Sequence, residues 1–156
     1  MIAGPTASGK SQLAINLARR FDGAVINADS MQLYAGLKIL TARPQLQDMQ
    51  DIPHHLFGVC DAAHRASVAE WLALAANAIA DVRSAGKLPI IVGGSGMYLQ
   101  AGLRGIAPVP DVPADLHRFC IDLYRELGGA KFREVLVGHD PEIAARLVDG
   151  DSQRLI

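Results

Sequence analysis

The sequence predicts an α/β fold in which helices flank a parallel sheet. A glycine-rich phosphate-binding loop, Gly4–Ser11, lies between an apolar segment and a helical pattern. Two further apolar segments, Ala24–Ala28 and Pro89–Val92, read as buried parallel strands. Helical patterns alternate with these segments, as parallel sheets require. Together these observations indicate a P-loop NTPase-like core.

The loop fits the G-x-x-x-x-G-K-S/T pattern at every fixed position. Gly4 and Gly9 let the backbone wrap so that successive N–H groups point at one anion. Lys10 adds a point charge, the following helix directs its positive dipole end there, and Ser11 offers a hydroxyl where such loops hold Mg²⁺. ATP is the usual guest of such a loop. The predicted phosphate-binding residues are Gly4, Pro5, Thr6, Ala7, Ser8, Gly9, Lys10 and Ser11.

A helix follows the loop and should stop at Gly23. The strand Ala24–Ala28 then leads to Asp29, which should lie at the same sheet edge as Lys10. A carboxylate at that edge could coordinate Mg²⁺ or act as a general base. Alternatively, Asp29 could cap the turn through Ser30, Met31 and Gln32. The apolar face of the helix is predicted to consist of Leu13, Ala14, Leu17, Ala18 and Phe21.

Residues 30–53 are predicted to form a long irregular connection that leaves the ligand edge of the sheet. Thr41 and Arg43 could contact an anion or a partner, although a solvated loop arginine is equally consistent with the pattern. His54 and His55 do not predict a metal site, because adjacent side chains diverge and no third ligand is suitably spaced. Leu56–Val59 is a candidate strand.

The clearest helix is predicted over Val68–Ser84, ended by Gly86 and with Trp71 in its core-facing stripe. The strand Pro89–Val92 leads into a second glycine-rich turn, Gly93–Gly96, which precedes another helix. Such a turn either serves close helix packing or lets the backbone approach a bulky ligand. In the second case Ser95 would be the polar contact.

The character of the chain changes after residue 104. Residues 1–104 are interpreted as the P-loop core, and 105–156 as a helical insertion or lid subdomain with the start of a return to the core. Pro108, Pro110 and Pro113 suggest a hinge. Both ends look cut, so we expect part of a longer chain that is inactive alone. The predicted helices are Asp115–Leu127, Ala130–Val137, Pro141–Leu147 and one beginning within Asp151–Ile156.

Composition gives few constraints on partners. The chain has 156 residues and a net charge of −1, and residues 1–104 carry 9 Lys and Arg against 7 Asp and Glu, while 105–156 carry 6 against 9. An RNA partner would therefore need a local basic face. Cys60 and Cys120 lack paired spacing, which favours free thiols in a reducing cytoplasm. We expect no membrane association and a monomer.

Several motifs, in order along the chain, together resemble the tRNA dimethylallyltransferase (isopentenyl-diphosphate:tRNA transferase) family. This combination is more specific than the loop alone, and it covers about the N-terminal half of family members. Leu40 stands where the family usually has Gly, and Ser152 where it usually has Pro. The motifs are Gly4–Ser11, Asn27–Tyr34, Thr41–Pro44, Ile52–Leu56, Val92–Tyr98 and Asp151–Leu155.

The resemblance implies transfer of a five-carbon prenyl group from dimethylallyl diphosphate to the exocyclic amine of an adenosine beside the tRNA anticodon. The loop would then hold the diphosphate leaving group instead of ATP. Thr6, Lys10 and Ser11, with Mg²⁺, would stabilise the charge on departing pyrophosphate. Asp29 would accept the proton of the attacking amine.

The resemblance also assigns the tRNA-binding residues. Asp29 and the segment Ser30, Met31 and Gln32 would line the adenine pocket. Ser95 stands where the family commonly has Thr and keeps the hydroxyl. The remaining tRNA contacts implied are His117, which falls near a position where an arginine often meets tRNA, Gln153 and Arg154.

Three alternatives remain open at this point. A related prenyltransferase acting on free AMP or ADP would share the loop and Asp29. A P-loop kinase for nucleotides or small molecules would share the loop and an acid after the second strand, but would not predict Thr41–Pro44 or His54-His55. The chain could also be a part that binds phosphate without catalysis.

Overall fold

The computed structural model describes residues 1–107 and 112–156 of the chain. The chain divides into two compact units, Met1–Ala107 and Pro108–Ile156. Pro108 and Pro110 of the predicted hinge lie outside the described residues. The first unit contains β1 (Ile2–Ala3), α1 (Lys10–Arg20), β2 (Gly23–Asn27), a 3₁₀ turn (Met31–Leu33), α2 (Leu46–Met49), β3 (His54–His55), α3 (Val68–Ser84), β4 (Leu88–Gly93) and α4 (Gly96–Arg104).

The sheet of the first unit has four strands in the order β1-β4-β2-β3, and every pair is parallel. β2 pairs with β4 over five positions, from Gly23 opposite Leu88 to Asn27 opposite Val92. Parallel pairing brings the carboxyl ends of the strands to one edge, where ligands of α/β folds bind. The predicted parallel α/β fold is confirmed.

Helices cover both faces of the sheet. All five residues of β2 are buried, as expected for a central parallel strand. Val25 packs with Ala14 and Ala18 of α1, whereas Ala24 and Ile26 belong to a cluster with residues of α3. This division follows from the alternation of side chains along a strand. The core therefore has two layers, one on each side of β2.

Helix α1 differs from the prediction in its buried face and its end. Leu13 and Phe21 are 48% and 54% exposed, whereas Ile15, which was not predicted, is buried. The helix ends at Arg20, and Gly23 is the first residue of β2 instead of a helix stop. A Cβ on Gly23 would lie 2.8 Å from the carbonyl oxygen of Leu88, so the glycine serves the close approach of two strands.

The segment around β3 also corrects the prediction. The strand is His54–His55, whereas the candidate strand Leu56–Val59 is not formed. Leu56 has φ 64°, in the left-handed region that a strand does not use. The chain therefore turns away from the sheet where a strand was expected.

The predictions for α3 and β4 are confirmed. The Ser67 side chain caps α3 by accepting a hydrogen bond from the Glu70 N–H, and Gly86 follows its end with φ 73°. Trp71 is 1% exposed and its Nε1 donates to the Asn27 carbonyl oxygen at 2.9 Å. The Trp71 ring stacks on Tyr98 of α4 with centroids 4.6 Å apart. Trp71 is thus a core residue, as predicted.

The second unit consists of helices in its described residues 112–156: α5 (Ala114–His139), α6 (Pro141–Arg146) and α7 (Ser152–Leu155). Gly128, with φ 74°, interrupts α5, so its two parts correspond to the two helices predicted there. Phe132, Ala144 and Leu155 are buried. Within residues 1–107 and 112–156, no helix has the length and apolar character needed to cross a bilayer.

We expect the Gly93→Ala substitution to destabilise the protein by about 3 kcal/mol or more, since overpacking against backbone leaves no room to relax. The added Cβ would lie 2.1 Å from the carbonyl oxygen of Ala28. The matched control is Gly96→Ala, where a Cβ meets no atom within 4 Å. That change should alter stability by less than about 0.5 kcal/mol. Urea unfolding of both variants tests this, and equal losses would contradict it.

Candidate active site

The phosphate-binding loop is closed by its own hydrogen bonds. The Ser8 N–H donates to the Pro5 carbonyl at 3.4 Å, and the Lys10 ammonium donates to the same oxygen at 3.0 Å. Gly9 lies immediately before α1 with φ 82°, a left-handed conformation that glycine adopts without strain. The loop is thus a closed turn that leads directly into α1 at Lys10.

A cavity of about 180 Å³ opens at the carboxyl edge of the sheet. Lys10 and Ser11 reach it from α1, Asp29 from the end of β2, and Gln32 from the following turn. These four residues were predicted from sequence to belong to a site, and the structure places them together. The cavity therefore combines an ammonium group, a hydroxyl and a carboxylate, which suits an anionic ligand that reacts next to a base.

Asp29 has a local structural contact as well as a place in the cavity. Its Oδ1 accepts a hydrogen bond from the Met31 N–H at 3.0 Å. Asp29 thus contacts the first residue of the 3₁₀ turn, although the N-cap position of that turn is Ser30. A carboxylate has two oxygens and several lone pairs, so this bond fixes the side chain without using all of its acceptor capacity.

Ser95 is bound to the backbone that follows β2. Its Oγ accepts from the Ser30 N–H at 2.9 Å and donates to the Ser30 Oγ at 3.2 Å. The glycines before it serve close packing, since Cβ atoms on Gly93 and Gly94 would meet the backbone of Ala28 and Gly4. The second glycine-rich turn therefore joins β4 to the loop and to the end of β2.

Other predicted site residues lie elsewhere in the described structure. Thr6 is exposed, and Met31 is 47% exposed. Thr41 donates through Oγ1 to the Leu37 carbonyl at 2.6 Å, and Arg43 donates to the Tyr34 carbonyl at 3.1 Å. Both residues thus hold their own connection together.

Three predicted tRNA-binding residues belong to the second unit. His117 lies on α5, and Gln153 and Arg154 lie on α7, all with exposed side chains. Arg154 forms an ion pair with Asp151 at 3.3 Å, and exposed pairs of this kind contribute little to stability. The Arg154 side chain is 75% exposed in this ion pair.

Sequence reasoning missed several residues that line the cavity. Asp48 and Gln50 come from the connection between β2 and β3, and His54 and Phe57 come from β3 and the residues after it. The adjacent histidines were noted in the sequence as part of a family motif, and a metal site was not predicted there, but no place in the site was assigned to His54. No group of three His, Cys, Asp or Glu side chains that could hold a metal ion occurs in the part of the chain that the structure describes.

His54 is held by a backbone contact and is half-buried. Its Nδ1 lies 2.7 Å from the Ile52 carbonyl oxygen, and because a carbonyl can only accept, Nδ1 carries the proton. Burial lowers the pKa of His54, and the neighbouring His55 lowers it further, although the bond to Ile52 opposes the shift. His54 therefore favours the neutral form in the folded protein.

Family models match both parts of the chain. A model described as IPP transferase matches residues 32–156, and one described as isopentenyl transferase matches residues 1–57. The tRNA dimethylallyltransferase of Rhodospirillum rubrum is 51% identical over 155 residues, which are 99% of this chain and 48% of that protein. That of Phenylobacterium zucineum is 48% identical over 99% of this chain and 50% of that protein.

Solved structures of related transferases also match nearly the whole chain. The full-length tRNA isopentenylpyrophosphate transferase from Bacillus halodurans has a TM-score of 0.68 and 33% identity, over 99% of this chain and 51% of that one. A eukaryotic dimethylallyltransferase acting on tRNA has a TM-score of 0.82 and 34% identity, over 99% of this chain and 38% of that one. The chain thus spans about half the length of the curated relatives it matches.

We expect the protein to lose stability as the pH falls below about 6.5, the pKa of an unfolded histidine. Because the folded-state pKa of His54 is lowered, the unfolded state binds more protons between the two values, and acidification favours unfolding. His54→Asn should reduce this loss. Urea midpoints measured between about pH 5 and 7.5 test it, and parallel pH profiles for both proteins would contradict it.

Proposed function

The chain belongs to the IPP transferase family, and from this we propose that the protein at its full natural length transfers a dimethylallyl group from dimethylallyl diphosphate to the exocyclic amine of an adenosine next to the tRNA anticodon. The observation that carries the proposal is the meeting of Lys10, Ser11 and Asp29 at one cavity. This cavity combines groups that can bind a diphosphate with a carboxylate that can act as a base.

The diphosphate end of the donor is assigned to the loop, Gly4–Ser11. Its backbone N–H groups and the positive end of α1 would hold the phosphate oxygens. Lys10 would exchange the neutral Pro5 carbonyl for a phosphate oxygen, because a charge-assisted hydrogen bond is stronger. Thr6 is proposed as a further hydroxyl donor to the departing group. These contacts matter most as the C–O bond breaks and charge collects on pyrophosphate.

The acceptor end is assigned to Asp29. The adenine amine attacks C1 of the dimethylallyl group, a C–N bond forms, and the C1–O bond breaks with its electron pair leaving on pyrophosphate. The amine proton passes to the Asp29 carboxylate. An exocyclic amine is a poor nucleophile, so positioning it beside a base and a stabilised leaving group is what this reaction requires.

The residues at the cavity fit Mg²⁺. The Ser11 hydroxyl is the predicted Mg²⁺ ligand, and Asp48 lines the same cavity. Mg²⁺ in such sites is held by one or two protein oxygens, water and substrate phosphates, so it needs no cage of several carboxylates. When bound with the diphosphate, it would offset the charge of the leaving group.

The adenosine is assigned to the residues that follow β2. Ser30, Met31 and Gln32, with Ser95, are proposed to line its pocket, and His117, Gln153 and Arg154 to contact the tRNA beyond it. The target base must leave its stack to reach this pocket, which favours an RNA loop over a duplex. We further propose that residues 105–156 are a helical insertion, that the protein is a monomer, and that it works in the cytoplasm, where its free thiols Cys60 and Cys120 would stay reduced.

We expect Asp29→Asn to lower kcat for dimethylallyl transfer by roughly 10²–10⁴-fold, the usual contribution of a general base. Pyrophosphate affinity, measured by calorimetry with Mg²⁺, should change by less than about threefold, since the loop is untouched. Asp81→Asn, which alters an exposed carboxylate on α3, is the matched control and should keep full activity. Equal rates for wild type and Asp29→Asn would exclude Asp29 as the base.

The acceptor is tested by comparing tRNA with AMP and ADP under identical conditions. We expect kcat/KM for tRNA to exceed that for either free nucleotide by at least about 100-fold, because contacts beyond the adenine add binding energy. Preference for AMP would indicate an adenylate isopentenyltransferase. Phosphoryl transfer from ATP without prenyl transfer would indicate a kinase.

A further inference from the structure

Asn27 is a buried polar residue at the carboxyl end of β2, only 1% exposed. A polar side chain in such a place must find partners, because an unpaired buried amide is costly. Its Oδ1 accepts from the Asp29 N–H at 2.9 Å. Its Nδ2 donates to the carbonyl oxygens of Asp29 and Leu56, at 2.9 and 3.0 Å. Both amide protons and the amide oxygen of Asn27 are therefore in use.

Two of these hydrogen bonds hold Asp29, one through its N–H and one through its carbonyl oxygen. Asn27 binds the N–H and the C=O of Asp29, so it restrains the backbone on each side of the Asp29 Cα. The direction in which a side chain leaves the backbone is set by these dihedrals. The Asp29 carboxylate is also bound to the Met31 N–H. Together the contacts fix both the origin and the orientation of the carboxylate.

The third hydrogen bond of Asn27, to the Leu56 carbonyl, holds the segment that follows β3. Leu56 has φ 64°, a conformation that a branched side chain disfavours and that needs outside support. Its carbonyl accepts from Asn27, and the next residue, Phe57, lines the cavity with Asp29. Asn27 thus sets the spacing between the end of β2 and the segment after β3.

Asn27 is itself anchored from the helix side. The indole Nε1 of Trp71 donates to the Asn27 carbonyl at 2.9 Å. Trp71 is fully packed, and its ring stacks on Tyr98 at an interplanar angle of 11°. Of the common side chains, only asparagine combines one acceptor and two donors at this length. Aspartate lacks the donors, and serine is too short to reach both carbonyls.

We infer that Asn27 is a positioning residue that aims the Asp29 carboxylate and fixes the distance from it to Phe57. The inference rests on the proposed function, in which Asp29 is the base. A displacement of about 1 Å at a reacting group costs on the order of 100-fold in rate. Loss of the Asn27 hydrogen bonds should therefore reduce kcat without lowering the affinity for the diphosphate, because the bonds of Asn27 are made outside the phosphate-binding loop.

The test compares Asn27→Asp with wild type in the protein at its full natural length. We expect kcat for prenyl transfer to fall about 10- to 100-fold, while KM for dimethylallyl diphosphate and pyrophosphate affinity change by less than about threefold. Asn77→Asp, at an exposed position on α3, is the matched control and should behave as wild type. Unchanged kcat, or pyrophosphate binding that falls as much as kcat, would overturn the inference.

Hydrogen exchange gives a readout that does not depend on activity. The Asp29 amide should exchange at least about tenfold faster in Asn27→Asp, because the new carboxylate oxygen repels the carbonyl oxygens of Asp29 and Leu56 and moves the side chain away from the Asp29 N–H. The Val25 amide, which donates to the Pro53 carbonyl at 2.8 Å, should keep its protection. Equal protection of Asp29 in both proteins would overturn the inference. If wild type shows this protection but no prenyl transfer, the proposed function fails while the restraint of Asp29 by Asn27 stands.

Trp71→Phe tests the positioning role of Asn27 if the Asn27→Asp protein does not fold. Phenylalanine keeps a ring to stack on Tyr98 but removes the donor to the Asn27 carbonyl. We expect a smaller fall in kcat, about three- to tenfold, again with pyrophosphate affinity retained. A folded Trp71→Phe protein with unchanged kcat would overturn the inference.

Discussion

The pairing of β2 with β4 is the interaction on which the rest of the first unit depends. Over five positions it aligns the two strands so that Asp29 and the glycine turn leave the sheet side by side. Gly23 is the first residue of this ladder, and Gly93 directly follows its last pair. A Cβ would lie 2.8 Å from the Leu88 oxygen at Gly23 and 2.1 Å from the Ala28 oxygen at Gly93. The missing side chains let the backbones approach closely enough for the cavity edge to form.

Features encoded by neighbouring residues could be predicted from the sequence, and those set by distant contacts could not. Helix α3 was predicted from its own apolar pattern and from Gly86, which follows its end. The buried face of α1 was predicted correctly at Ala14 and Ala18 but wrongly at Leu13 and Phe21. The large residue that is buried is Ile15, so the face that meets the core is rotated from the one that the apolar spacing predicted. β3 was missed because two residues of strand, both histidine, carry no periodicity to detect.

The same distinction applies to the site. Lys10 and Ser11 follow from a motif of fixed spacing, and Asp29 follows from its place after a strand. Asp48 and His54 depend on the path of the connection between β2 and β3, which no local rule specifies. Asn27 did leave a signal, because it is a polar residue inside an otherwise apolar strand and lies two residues before the acid.

Ser30 and Ser95 join two segments that leave neighbouring strands of the sheet. The Ser30 N–H donates to the Ser95 Oγ at 2.9 Å, and the two hydroxyl oxygens lie 3.2 Å apart. The Ser95 hydroxyl thus holds the backbone of the residue that directly follows Asp29. A substitution at Ser95 therefore disturbs the chain next to Asp29, which lies far from it in the sequence.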